Sequence, residues 1–140
     1  MQIDINCDVG EGIAIEHLLM PYISSCNIAC GGHFGDANSI DKTLEFVIKN
    51  DVKIGAHPSF PDTENFGRKR LYLSDEELKK SLEAQMDLFL ERLHLAGGNL
   101  HHIKPHGALY NTIVIDEKLA ISFVKIVKKI LRVLFFICSL

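Results

Sequence analysis

Histidine, aspartate, glutamate and lysine gather in four short strings of this chain, each at the end of a largely apolar run. The first is Asn6-Cys7-Asp8-Val9-Gly10-Glu11-Gly12 and the second Cys30-Gly31-Gly32-His33-Phe34-Gly35-Asp36. The third is Gly55-Ala56-His57-Pro58-Ser59-Phe60-Pro61-Asp62, and the fourth runs from His102 through Lys104 and His106 to Asn111. Asp8 and Glu11, two carboxylates beside flexible glycines, have the chemistry of a general base or a metal ligand, although a plain turn has the same composition. Imidazole changes charge near neutral pH and also ligates metals, so His33, His57 and His106 are candidates for either task. One histidine alone is usually structural; three at strand ends, converging with Asp8, make a pattern. His17, His94 and His101 fall outside it and read as ordinary residues. Asp36 caps a helix whatever else it does. The GxxxxGK[ST] and GxGxxG phosphate loops are absent, and so is a GxSxG nucleophile elbow.

Strands and helices in alternation must position these groups. Strands are expected at Gln2–Asn6, Ser24–Cys30, Val52–His57 and Leu100–Pro105, with a fifth at Arg132–Cys138. A short helical or irregular stretch around Ile15–Met20 ends at Pro21. Ile40, Leu44, Val47 and Ile48 share one face of a helix capped near Asp36–Ser39. The best-marked helix starts at Ser74, with Glu77 three residues on as a capping box, and Gly97-Gly98 stops it. Leu78, Leu82, Met86, Phe89 and Leu93 recur along it at helical spacing. Asp116 opens another helix, with Leu119, Phe123, Val127 and Ile130 inward. Such repeats imply parallel pairing, and a closed eight-unit barrel takes roughly 250 residues. The chain thus reads as one domain, 1–140, the front part of a (β/α) barrel with four units and the start of a fifth.

Splitting each strand by alternation leaves one apolar and one polar face. Asp4, Asn6 and Asp8 share a face of the first strand, and Ser25, Asn27 and Ala29 one of the second. Lys53, Gly55 and His57 share one in the third, and His102, Lys104 and His106 one in the fourth. A barrel interior is ordinarily filled by bulky branched residues. Burying neutral polar groups without partners costs on the order of 2–7 kcal/mol each, so a polar inner face suggests a functional cavity. An antiparallel sheet with one wet face would show the same alternation, but the long helical crossovers argue against it.

Of 140 residues, 47% are hydrophobic and the net charge is −3, which gives no sign of a nucleic-acid footprint. The one basic cluster, Arg68-Lys69-Arg70, reads as a solvated turn. The N-terminus shows no signal-peptide pattern, and the apolar run Val133–Cys138 is far short of the roughly 18 residues of a membrane span, so a soluble, cytoplasmic protein is expected. Four cysteines fit buried thiols in a reducing compartment. On one strand Cys26 and Cys30 lie about 13 Å apart, too far to share one zinc ion.

Several strings together resemble the LamB/YcsF family. They are Ile5–Gly12, Leu19–Ser25, Asn27–His33, Ile54–Pro58, Asn65–Arg68 and Ile103–Asn111, in that order along the chain. The resemblance implies a (β/α) barrel related to metal-dependent polysaccharide deacetylases. It also implies ATP-dependent opening of the 5-oxoproline lactam to L-glutamate, together with two partner subunits, B and C. Phe34, Ser59 and Cys26 depart from the Ala, Gly and Ala expected there, and Phe34 is expected to crowd the pocket beside His33. Members of the family also run on well past Leu140.

On that reading the expected catalytic residues are Asp8, Glu11, His57, Lys104 and His106. Asp8 or Glu11 orients water, His57 or His106 exchanges protons, and Lys104 offsets oxyanion or phosphate charge. Arg68 holds the substrate carboxylate in a two-pronged contact, and Asn6, Asn27, His33 and Asn111 complete the substrate contacts. ATP is the expected co-substrate, and a divalent metal stays open. One alternative is a metal-dependent deacetylase or carbohydrate hydrolase, with Asp8, His33, His57 and His106 as ligands. Another is a non-catalytic remnant with open strand edges and an aggregating tail, Leu134-Phe135-Phe136-Ile137.

Overall fold

A computed structural model describes residues 3–137, with side chains as far as 132. Four strands, β1 (Asn6–Val9), β2 (Ser25–Ala29), β3 (Lys53–His57) and β4 (Leu100–Ile103), form one parallel sheet in the order β1-β2-β3-β4. The helices are α1 (Ala37–Lys49), α2 (Asp75–Leu95), α3 (Gly107–Ile115) and α4 (Glu117–Ile137). Two 3-10 turns, Glu16–Leu18 and Met20–Tyr22, connect β1 to β2. No helix among the described residues is long and apolar enough to cross a membrane.

The two capped helices begin where their side chains can satisfy free backbone N–H groups. Asp36 accepts from Ser39 N at the start of α1, and Ser74 from Glu77 N at the start of α2, each within a reciprocal capping box. The apolar stripes of both helices then cover the sheet's apolar face. Ile28, Ile54, Cys26 and Ala56 are buried there with Ile40, Leu44 and Val47 of α1 and Leu78, Leu82, Met86 and Phe89 of α2. Each large side chain so buried contributes about 1.5–3 kcal/mol. Cys26 and Cys30 are core residues, and burial pushes both thiols up to about 12.

Three sequence expectations need correcting. The first strand starts at Asn6 rather than Gln2, because the pairing register joins Asn6–Val9 to Ser25–Ile28 and leaves Ile3 and Ile5 exposed. Asp8 therefore lies within the strand, not in the turn after it. The expected fifth strand at Arg132–Cys138 is not formed: α4 runs unbroken through Ile137, while Cys138 lies outside the described residues. No Gly, Pro or Asn separates the helical stripe from that apolar run, and a short apolar run alone does not tell strand from helix. Finally, Gly107–Ile115 is a helix of its own, hidden in the sequence behind an opening glycine and several β-branched residues.

Candidate functional site

The strand register lays the polar groups out in rows. Asp8 pairs with Asn27, Asn27 with Gly55, and Gly55 with His102, so these four lie side by side on the sheet face opposite α1 and α2. The β3–β4 register shifts between Ile54 and Gly55, and the extra residue in β4, His101, is what aims His102 over Gly55. A Cβ on Gly55 would run into the His102 ring. Across that gap His102 Nε2 donates to Asn27 Oδ1 at 2.6 Å, and Asn27 Nδ2 donates to Asp8 Oδ1 at 2.7 Å. Asn6 exchanges hydrogen bonds with Asn27 and donates to Ser25 Oγ at 2.8 Å.

One step along the strands stands the second row. Lys104 N donates to the Ala56 carbonyl and His106 N to the Pro58 carbonyl, which extends the β3–β4 pairing to the end of the fourth string. Lys104 Nζ reaches Asp8 Oδ1 at 2.6 Å, while Asp8 Oδ2 lies 3.4 Å from His57 Nε2. His57 Nε2 faces His106 Nδ1 at 3.0 Å, and His106 Nδ1 lies 3.5 Å from Glu11 Oε1. His33 Nε2 meets the same Glu11 oxygen at 2.9 Å, and its ring stacks on His106 with centroids 3.7 Å apart. The Nδ1 of His33 is buried without a hydrogen-bond partner.

Charge follows from these contacts. Burial raises the Asp8 carboxyl, but its contacts with His57, Lys104 and Asn27 outweigh it and hold the group well below the usual carboxylate range. Glu11 is lowered in the same way, with burial opposed by the hydrogen bond from His33 and by nearby imidazole charge. Burial, reinforced by His33, pushes His106 down to about 4. His102 is lowered by burial and by the neighbouring His101 and Lys104.

Loops close the site from both sides. Glu16 accepts from Gly10 N and Glu11 N at 2.7 and 3.0 Å, which shapes the turn carrying Glu11. After β3, buried Gln85 on α2 grips Ser59 through both its backbone N–H and its carbonyl, each at 2.9 Å. Asp62 then turns the chain through bonds to Asn65, so that Phe66 arrives with φ +55 and its carbonyl 3.0 Å from His106 Nε2. Left-handed backbone is costly for a residue of this size. Gly67 follows against His33 and His106, where a Cβ would lie 2.8 Å from His33 Cβ.

A cleft of about 480 Å³ opens over the second row, lined by Asp8, His57, Arg68, Lys104, His106 and Asn111 among others. Six of the ten expected site residues thus line one cleft. Glu11 and His33 lie behind His106, and Asn6 and Asn27 behind Asp8, so these four touch the site through other side chains. Exposed Arg68 sits over the Phe66 ring at 5.8 Å. Phe34 is not among the cleft's lining residues: its ring packs over Gly12 and lies 6.1 Å from Phe66. A second groove, about 440 Å³ between α1 and α2, holds the Asp41–Arg92 ion pair and none of the expected residues.

Sequence reasoning missed His102, Glu16, Gln85 and the Phe66 carbonyl as site builders. His102 had a signal, since it alternates onto the face of Lys104. Gln85 had one too, as a polar residue beside the inward stripe of α2. Glu16 and the Phe66 carbonyl act through geometry that no local pattern encodes.

The matching family model, LamB/YcsF family, spans residues 3–140. The chain is 45% identical over 129 residues to the 5-oxoprolinase A subunit of Histophilus somni (strain 129Pt), covering 92% of this chain and 52% of that relative. It is similar in structure to a lactam utilization protein from Thermus thermophilus, with TM-score 0.86 and 36% identity over 92% of this chain and 54% of that one. The chain spans about half the length of the relatives it matches.

Proposed function

The chain belongs to the LamB/YcsF family, and from that premise we propose that it carries the catalytic cleft of an ATP-dependent 5-oxoprolinase, a hydrolase that opens a lactam to give L-glutamate. The observation that carries this reading is the convergence of Asp8, His57, Lys104 and His106 on one cleft, in a chain similar to the A subunit of a 5-oxoprolinase. The four-stranded parallel sheet is, on this proposal, part of a (β/α) barrel whose strand ends face the substrate.

An unstrained lactam resists water near neutral pH. Phosphorylation of its oxygen by ATP turns that oxygen into a leaving group, a step that involves partner subunits B and C. Water adds at the ring carbonyl carbon, losing a proton to Asp8, Glu11 or a neutral imidazole. The C–N bond then breaks, the ring nitrogen takes up a proton from the histidine pair, and a second water displaces phosphate from the resulting acyl phosphate to leave L-glutamate. Lys104 offsets charge developing on the lactam oxygen, and Arg68 at the rim holds the substrate carboxylate through its fork of donors.

The test is ATP-dependent glutamate release from 5-oxoproline by this chain co-purified with its partner subunits. Asp8→Ala and Lys104→Ala should each lower kcat by about 100-fold or more, the usual scale for removing a group that acts on the transition state. Rates unchanged in both variants would remove the basis of the assignment.

A further inference from the structure

Two hydrogen bonds fix the protons on the central histidines. His57 Nδ1 lies 2.6 Å from the Lys104 carbonyl, and His106 Nε2 lies 3.0 Å from the Phe66 carbonyl. A carbonyl oxygen only accepts, so each ring carries its hydrogen on that side. The nitrogens left over, His57 Nε2 and His106 Nδ1, are bare in neutral rings, yet they face each other at 3.0 Å. Two buried lone pairs at that distance repel unless something electron-poor lies against both. Asp8 Oδ2 lies 3.4 Å from His57 Nε2, so an anionic oxygen approaches the same gap, and Glu11 Oε1 flanks His106 Nδ1 at 3.5 Å.

We propose that Asp8 Oδ2, His57 Nε2 and His106 Nδ1 bind one divalent first-row transition-metal ion. An ion roughly 2.1 Å from each donor spaces neighbouring donors about 3.0–3.4 Å apart, the separations found here for the two histidines and for His57 with Asp8. The outer contacts fit as well. Metal-bound imidazoles donate their other N–H to a carbonyl or carboxylate, as both rings do, and Asp8 Oδ1 is held by Asn27 and Lys104. Imidazole and carboxylate donors without a thiolate select ions of the zinc, manganese or cobalt kind rather than copper(I) or an iron–sulfur cluster. His33 is excluded from the set by its own geometry: with Nε2 on the ion, its buried Nδ1–H would have no acceptor. Its part is to stack on His106 and bond Glu11. Asp8 and both ligating histidines reach the cleft, which leaves a coordination position for water there.

The ion's use rests on the hydrolytic reading of the cleft; its binding does not. The experiment therefore involves no substrate. The 140-residue chain, stripped with chelator and shown to be folded by circular dichroism, is titrated with Co²⁺ by visible absorption and with Zn²⁺ by calorimetry. One saturable equivalent with a ligand-field spectrum is expected. Asp8→Asn and His106→Ala should weaken binding by about 100-fold or more, since losing even a group that only supports a ligand costs roughly 10–100-fold. His94→Ala, on α2 and outside the cluster, should change nothing. The absence of saturable binding in the folded wild type, or binding kept by both Asp8→Asn and His106→Ala, would overturn the site and leave a proton shared by the two rings. If a variant unfolds, wild-type stoichiometry and spectrum still decide. Failure here leaves the lactam assay standing, and failure of that assay leaves this one standing.

Discussion

The two faces of the sheet are built from alternate residues of the same strands and obey different rules. On the helix-covered face, Cys26, Ile28, Ile54 and Ala56 meet apolar side chains of α1 and α2, and what counts there is volume. On the other face, Asp8, Asn27, His102 and Lys104 form one chain of hydrogen bonds in which each member fixes the next. Volume can be redistributed among neighbours, whereas a hydrogen-bond chain loses its purpose when one link goes. The helix-covered face therefore holds the fold, and the polar face gives up stability to hold Asp8 in place.

Substitutions can break that contrast, beginning with the largest effect. Phe89→Ala empties part of the helix-covered core and should cost about 3–5 kcal/mol in denaturant unfolding. A loss below about 1 kcal/mol would mean that α2 does not anchor the sheet. Gly55→Ala forces the His102 ring off its seat and should cost about 1–3 kcal/mol. Adding His102→Ala should recover part of that loss, and a double-mutant cycle showing no coupling would put the ring elsewhere. Asn27→Ala leaves His102 and Asp8 without their common partner, for about 1–3 kcal/mol. Its effect on glutamate release should exceed its effect on stability, and equal effects would erase the distinction between the faces.

The smallest effect is chemical. Cys26 and Cys30, buried with thiols pushed up to about 12, should escape alkylation at about pH 8 until the chain unfolds, as peptide mass analysis can show. The folded pKa of Cys26 lies above the ordinary 9.0, so its contribution to stability is complete below about pH 9. Above that pH the unfolded thiol ionises first, and stability falls as pH rises toward about 12. Cys26→Ala should remove this part of the alkaline loss, read from unfolding midpoints at successive pH values.

Much of this is legible in the sequence because it depends on short-range rules. The capping boxes at Asp36 and Ser74, the polar alternation in the strands and the strand-end positions of His57 and His106 all follow from periods of two and 3.6 residues. Arg132–Cys138 reads as a strand because helix and strand both tolerate a run of branched and aromatic residues, and only the unbroken α4 decides between them. The start of β1 depends on which residues of β2 are free to pair, a long-range matter. The aim of His102 depends on an extra residue in β4, and the place of Phe66 on the grip of Gln85 in α2 on Ser59. No local pattern carries either one.

Gly55 also works as a key for strand alignment. A parallel strand can slide by two residues and keep its faces, and the evenly spaced backbone bonds offer little resistance beyond the cost of lost pairs. Here a slide of β3 by two positions would bring Lys53 or His57 beneath the His102 ring in place of the bare α-carbon. The ring would then be lifted off the sheet and its bond to Asn27 broken. Since β2 and β4 are not neighbours in the sheet, that side-chain bond ties together two strands the backbone leaves unconnected. The missing methyl group at Gly55 thus sets the one alignment of β3 in which the strand ends, and the groups they carry, come level.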